Sequence, residues 1–162
     1  TPVDMRALLS ELQDELRTAY PGRKVELDMS ADYRVQGDFR ELYSAVSNLV
    51  LNAIKYSEEE DVVKVSWRQQ DGSYYLTVMD QGPGIDPVHI PRLTERFYRV
   101  EDSRSSATGG TGLGLAIVKH VAASHGARLQ IESKQGEGSA FSLVFPDQGV
   151  VVADQRVGAS VA

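Results

Sequence analysis

Cysteine is absent from the 162 residues. No disulfide and no thiolate metal site can form, a composition compatible with a reducing compartment. Histidine occurs three times, at positions 89, 120 and 125, too scattered for a histidine metal cluster. No apolar run approaches the ~18 residues that a membrane helix needs, and the start carries no signal-peptide pattern. Positive charge is in deficit. Against 23 Asp and Glu stand 17 Lys and Arg, a formal net charge of −6, which argues against a nucleic-acid-binding surface. A P-loop (GxxxxGK followed by Ser or Thr) is missing, and so are the HRD and DFG motifs of Ser/Thr/Tyr kinases. The chain opens on Thr1 without Met, the expected look of a piece cut from a longer protein. What remains is ordinary: 41% hydrophobic and 25% charged residues, enough for one domain with a real core.

The most informative stretch is Asp38 to Ser57. Asp38 is a good N-cap, and no Gly or Pro interrupts the run behind it. Leu42, Val46, Leu49, Val50 and Ala53 make one apolar stripe at helical spacing. Asn48, Asn52 and Lys55, at i, i+4 and i+7, share a second face turned away from it. Asn is a poor helix former, and a plain solvated face would carry Glu, Lys or Gln. Either this is an exposed helix that tolerates Asn, or the amides and the ammonium point together at something carrying phosphate or metal.

In chain order, Val3 to Ala19 reads as an amphipathic helix ended by Pro21-Gly22. Lys24 to Met29 alternates as a strand, and Arg34 to Gln36 is a short extended piece leading into the helix just described. Val62 to Arg68 and Tyr74 to Asp80 form a hairpin around Asp71-Gly72. A short helical piece falls near Pro87 to Pro91, and Arg92 to Thr111 has no sustained period, the mark of a lid or a loose segment. Gly112 to His125 is a helix stopped by Gly126, followed by strands at 128–133 and 139–145. Asp147 onward reads as a loose, disordered tail beyond a single domain of residues 1–146. The expected fold is α/β, a two-layer sandwich with about three helices on one face of a mixed, mostly antiparallel five-stranded sheet.

Four clusters stand out: Asn48/Asn52/Lys55, Asp80-Gln-Gly82-Pro-Gly84, Gly109-Gly-Thr-Gly112-Leu-Gly114 and Gly136-Glu-Gly138-Ser139. Singly, DQGPG and GEGS are ordinary turns. GTGLG is not the dinucleotide fingerprint GxGxxG, because its third glycine comes one residue early and no strand precedes it. AIVK at 116–119 resembles a kinase strand lysine but lies within a helix.

The order of the clusters is more telling. NLVLNAIKYS, DQGPGI, ERFYRV, GGTGLGLAIVKH and GEGSAF resemble, in sequence order, the N, first glycine, F, second glycine and final glycine boxes of one family: the catalytic, ATP-binding domain of two-component sensor histidine kinases. The resemblance spans residues 48–141. It implies the Bergerat-type ATP-binding sandwich of the GHKL superfamily and the cofactors ATP and Mg²⁺. By resemblance, Asn52 gives an oxygen to Mg²⁺, which favours oxygen ligands, phosphates and retained water. Lys55 places charge near the phosphates, Tyr56 lies beside the adenine, and Asp80 accepts a hydrogen bond from the adenine amino group. Guanine offers a carbonyl there, so the mismatch would cost about 1–3 kcal/mol. Asn48, Gly82, Gly84, Ile85, Gly110, Thr111, Gly112, Leu113, Gly114 and Leu115 complete the implied nucleotide contacts. Arg99 is the residue expected to reach the terminal phosphate, from a lid at about 92–111 that also carries Arg92, Arg96 and Arg104. Phe97 is expected to anchor that lid apolarly. Catalysis is expected of Asn48, Lys55 and Arg99.

Hydrolysing relatives carry a glutamate base four residues before the Mg²⁺-binding Asn. This chain has Asn48 there, and an amide has no usable basicity near neutral pH. ATP is therefore expected to survive until an acceptor histidine reaches its γ-phosphate. His89, His120 and His125 lack the family's acceptor context and are read as structural. The acceptor is expected on a dimerisation domain upstream, just before the first helix, with a response regulator as the next partner. Isolated, the chain should bind ATP and ADP without phosphorylating itself. It is expected to be the cytoplasmic part of an inner-membrane-anchored sensor, making no direct membrane contact and binding no nucleic acid. Two readings of other kinds stay open: a nucleotide-binding or interaction module without transfer chemistry, and a protein-serine kinase of the same fold.

Overall fold

The structure is a computed structural model that describes residues 1–30, 33–82, 88, 90–92, 114–134, 136–146 and 150–152. Strand β1 (Pro2–Asp4) leads directly into helix α1 (Met5–Ala19), whose N-cap Asp4 accepts the amide protons of Arg6 and Ala7 at 3.0 and 3.2 Å. β2 (Lys24–Met29) and β3 (Tyr33–Gln36) follow, then helix α2 (Phe39–Tyr56). Asp38 caps α2 as its position requires, accepting from the Glu41 amide at 3.0 Å. β4 (Val62–Gln70) and β5 (Ser73–Asp80) close a hairpin in which Asp71 and Gly72 both take positive φ, 52° and 77°. Two successive left-handed residues make the turn whose twist matches that of the strands. A single 3₁₀ turn spans Ile90–Arg92. Helix α3 (Gly114–Ser124), β6 (Arg128–Lys134), β7 (Gly138–Pro146) and β8 (Val150–Val152) complete the described chain.

The main sheet has the order β2-β4-β5-β7-β6, parallel only between β2 and β4. Alternation puts Val63, Val65 and Trp67 of β4, Leu76 and Val78 of β5, and Phe141, Leu143 and Phe145 of β7 on one face, all buried. The apolar stripes of the three helices share a single core with that face. Trp67, fully buried, meets Tyr33, Tyr74 and Phe145 at ring separations of 6.3, 6.1 and 5.8 Å. Such side chains each contribute roughly 1.5–3 kcal/mol on burial. The hydroxyl of Tyr43 on α2 donates to the Glu15 carboxylate on α1, tying the two helices together.

The expected two-layer sandwich over a mixed five-stranded sheet is what forms. A second sheet, β1-β3-β8, was not foreseen. Val150–Val152, placed by the sequence in a loose tail, pairs antiparallel with β3, and Pro2–Asp4 pairs along its other edge. Three-residue strands carry no readable period, and only the free edges of β3 call them into the extended form. Among the described residues, no helix is long and apolar enough to cross a membrane.

Candidate functional site

Asp80 is the last residue of β5 and lies on the core face of the sheet, following Leu76 and Val78 by alternation. In the ladder it stands opposite Ser139, which in turn stands opposite Ser133. The hydroxyls of Ser133 and Ser139 are 2.8 Å apart. The apolar face thus ends in a polar row headed by a buried carboxylate. Burial raises the Asp80 pKa above 3.8, while the backbone amides of Gly82 and Ser139 pull it back and the nearby charge of Asp61 raises it further. The Gly82 amide donates to Asp80 Oδ1 at 2.9 Å, an Asx-type turn that fixes where the carboxylate points. Gln81 Oε1 accepts from the Val62 amide at 3.0 Å and ties the same turn to the start of β4.

Three glycines lock this turn and α2 together. A Cβ on Gly82 would stand 2.3 Å from the carbonyl oxygen of Tyr56, so the turn sits directly on the C-terminal end of α2. Gly138 has φ +114°, and a Cβ there would stand 2.2 Å from the Asp80 carbonyl oxygen. A Cβ on Gly114, the first residue of α3, would stand 3.1 Å from Asn48 Oδ1. The second face of α2 is therefore bracketed, with Gly114 at Asn48 and Gly82 at Tyr56. The two contacts lie eight residues apart, about 12 Å along the axis at 1.5 Å per residue, and Asn52 sits midway.

Along that face Asn48, Asn52, Lys55 and Tyr56 are all half-buried. Asn48 Nδ2 donates to the Ser44 carbonyl one turn back at 2.8 Å, which leaves Oδ1 as the atom presented toward Gly114. The Lys55 ammonium lies 5.3 Å from the Tyr56 ring centroid, within range of a cation–π contact. Helix α3 begins at Gly114 with no acidic residue in its first turn, and a helix start presents unpaired amides that favour an anion. Leu115 is half-buried and packs against the core. Among the described residues, no group of three or more His, Cys, Asp or Glu could hold a metal. A divalent ion here would need oxygen from Asn52, phosphates and water, a donor set that suits Mg²⁺.

Gly84, Ile85, Arg96, Phe97, Arg99, Arg104, Gly110, Thr111, Gly112, Leu113 and His89 lie outside the described residues. Arg92 is exposed at the end of the 3₁₀ turn, and His120 is exposed on α3. His125 is structural, as the sequence reading has it. Its Nε2 accepts the Asp38 amide at 3.0 Å while Nδ1 lies 2.8 Å from the Val121 carbonyl, so the ring joins the end of α3 to the start of α2. That pairing requires the neutral ring with its proton on Nδ1. Sequence reasoning missed Gln81 and Ser139 as supports of Asp80, although both lie in motifs already singled out.

Residues 37–149 match the family described as histidine kinase-, DNA gyrase B- and HSP90-like ATPases. The chain belongs to this family and has the fold of its histidine kinase catalytic domains. Over 157 residues it is 46% identical to the phosphate regulon sensor protein PhoR of Pseudomonas aeruginosa, covering 96% of this chain and 35% of that one. The mycobacterial sensor histidine kinase MprB superposes with a TM-score of 0.79 at 34% identity, over 90% of this chain and 96% of that structure. Full-length ShkA in complex with AMPPNP gives 0.77 at 27% identity, over 94% of this chain and 31% of ShkA. The chain thus spans about a third of the length of the curated relatives it matches.

Proposed function

We propose that this chain holds Mg²⁺-ATP between the second face of α2 and the Asp80–Gly82 turn and donates the γ-phosphoryl group to a histidine on a separate dimerisation domain. A response regulator is the next acceptor. The observation that carries the reading is the seating of Gly82 on Tyr56, which joins the motif expected to read adenine to the helix expected to hold phosphate and metal. The similarity to full-length ShkA, a protein solved in complex with AMPPNP, supports it.

Each residue then has a task. The Asp80 carboxylate, fixed by two backbone amides, accepts from the adenine amino group and rejects guanine by leaving two acceptors face to face. Tyr56 lies beside the base, and Lys55 and the start of α3 supply positive potential for the phosphates. Asn52 would hold Mg²⁺, which would supply charge neutralisation at the phosphate oxygens. Arg99, outside the described residues, is assigned to the terminal phosphate by its place in the FYRV motif. Transfer forms a nitrogen–phosphorus bond as the bond to the β–γ bridging oxygen breaks and ADP leaves. Positioning and charge neutralisation supply the rate. Asn48 cannot take a proton from water, and its amide is already committed to Ser44, so hydrolysis does not compete.

The test is to mix the chain with the histidine-bearing hairpin of its full-length protein and labelled ATP. Acid-labile phosphate on the hairpin histidine is expected. If the chain binds ATP but never labels the hairpin, it is a binding module without transfer chemistry. Label on a serine would point to the serine-kinase reading.

A further inference from the structure

The C-terminal end of α2 is held by a residue that none of the motifs contains. Arg23, between α1 and β2, lays its guanidinium across the last turn of the helix. Nη1 donates to the Ile54 carbonyl at 2.9 Å and to the Ser57 carbonyl at 3.4 Å, and Nη2 donates to Ser57 Oγ at 2.5 Å. Ser57 Oγ passes the restraint on, donating to the Ala53 carbonyl at 2.7 Å. A helix leaves its final carbonyls unpaired and its C-terminus partly negative, so a cation satisfying those acceptors suits the place. The turn being held, 54–57, contains Lys55 and the Tyr56 carbonyl against which Gly82 is packed without room for a Cβ. Gly82 in turn donates to Asp80. From Arg23 to the Asp80 carboxylate there is an unbroken sequence of hydrogen bonds, covalent backbone and close backbone contact.

We infer that Arg23 is a positioning residue for the base end of the nucleotide site: by clamping the 54–57 turn it sets the height of Tyr56 under Gly82, and so the place where Asp80 meets the adenine amino group. The inference rests on the nucleotide reading given above. It requires a forked cation. An ammonium in the same place supplies the charge that the helix end favours, but as a point it cannot hold the Ile54 carbonyl and Ser57 Oγ together.

Arg23→Lys and Ser57→Ala separate positioning from plain stability. Dissociation constants for ADP, adenosine and inosine are measured beside the melting temperature, with wild type and Asp80→Asn as references. Inosine carries a carbonyl where adenosine carries the amino group, so the adenosine-to-inosine ratio reports how well Asp80 is placed. Arg23→Lys is expected to weaken ADP and adenosine about tenfold, equivalent to 1.4 kcal/mol, to leave inosine almost unchanged, and to melt close to wild type. Ser57→Ala should move the same ratio in the same direction by less. If Arg23→Lys lowers the melting temperature while the adenosine-to-inosine ratio stays at the wild-type value, Arg23 is only a helix cap and the inference is overturned. If Asp80→Asn discriminates as wild type does, or wild type binds none of the three, the nucleotide reading fails instead.

Discussion

Gly82 and Tyr56 are in backbone contact so close that a single methyl group, 2.3 Å from the Tyr56 carbonyl oxygen, could not be placed between them. Neither residue tells this from its own neighbourhood in the sequence. The contact brings the end of a hairpin strand against a helix 26 positions earlier, and it makes the proposed site sensitive to very small changes.

Gly82→Ala is the sharpest of these. The obstacle is a backbone oxygen, which no rotamer change can move, so the turn itself must shift and carry Asp80 with it. Adenine nucleotide affinity should fall at least tenfold, or 1.4 kcal/mol, and the melting temperature should drop. Gly138→Ala should be equally damaging, since φ +114° and the Asp80 carbonyl oxygen 2.2 Å from a Cβ both oppose it. Among the described residues, a Cβ on Gly114 would meet the Asn48 side chain alone, its oxygen at 3.1 Å, and Gly114→Ala should melt near wild type. Calorimetric titration and melting curves on the three variants check the order. A Gly82→Ala variant that binds like wild type would remove the structural basis of the site.

Asp80→Asn should weaken ATP, ADP and adenosine alike, by roughly 1–3 kcal/mol for a hydrogen-bonding pattern turned the wrong way. Its effect on stability depends on pH. The folded-state pKa of Asp80 lies above its ordinary value because of burial, so the folded chain binds this proton more tightly than the unfolded one. Stability from this group is therefore fully present below the ordinary value and is lost as pH rises through the raised one. Without nucleotide, wild type should lose ground against Asp80→Asn as pH rises across that window. Melting temperatures of both proteins from acid to neutral pH measure the difference. A gap that widens in favour of wild type would contradict a carboxylate whose burial outweighs its two amide hydrogen bonds.

Asn52→Ala should act differently. With one oxygen ligand removed from a site otherwise made of phosphate and water, ATP affinity should lose mainly its Mg²⁺-dependent part, while binding in chelator should stay near wild type. Titrations with and without the ion decide this. Equal losses in both would place Asn52 elsewhere in the pocket.

His125→Ala removes the acceptor of the Asp38 amide and the bond to the Val121 carbonyl, and it opens space beside Gly37, whose hypothetical Cβ meets the ring at 2.1 Å. Those bonds are exposed or part-buried, so a loss of about 0.5–1.5 kcal/mol, the net contribution of an ordinary hydrogen bond, is expected. For a domain of this size that is roughly 2–4 °C of melting temperature per kcal/mol. Nucleotide affinity well below the melting temperature should change little. A large loss of affinity with unchanged melting would assign His125 to the site.

Local pattern in the sequence marked the longer elements and the sides they bury. Alternation in Val63, Val65 and Trp67, the stripe Leu42–Val46–Leu49–Val50–Ala53, the Asp38 cap and the Asp71-Gly72 turn are all local consequences of periodicity and backbone preference, and each formed as read. It also singled out candidate residues for a site, because glycine clusters and paired amides are chemically unusual where they stand. Tertiary structure alone decided the distances between them. The short strands Pro2–Asp4 and Val150–Val152 exist because β3 has edges to offer. Arg23 acquires a role only because folding carries it to a helix end 31 to 34 residues away. Periodicity reports which side of an element is buried, but not what lies against it. That depends on how remote segments pack, and contacts such as Gly82 on Tyr56 exist only once they have done so.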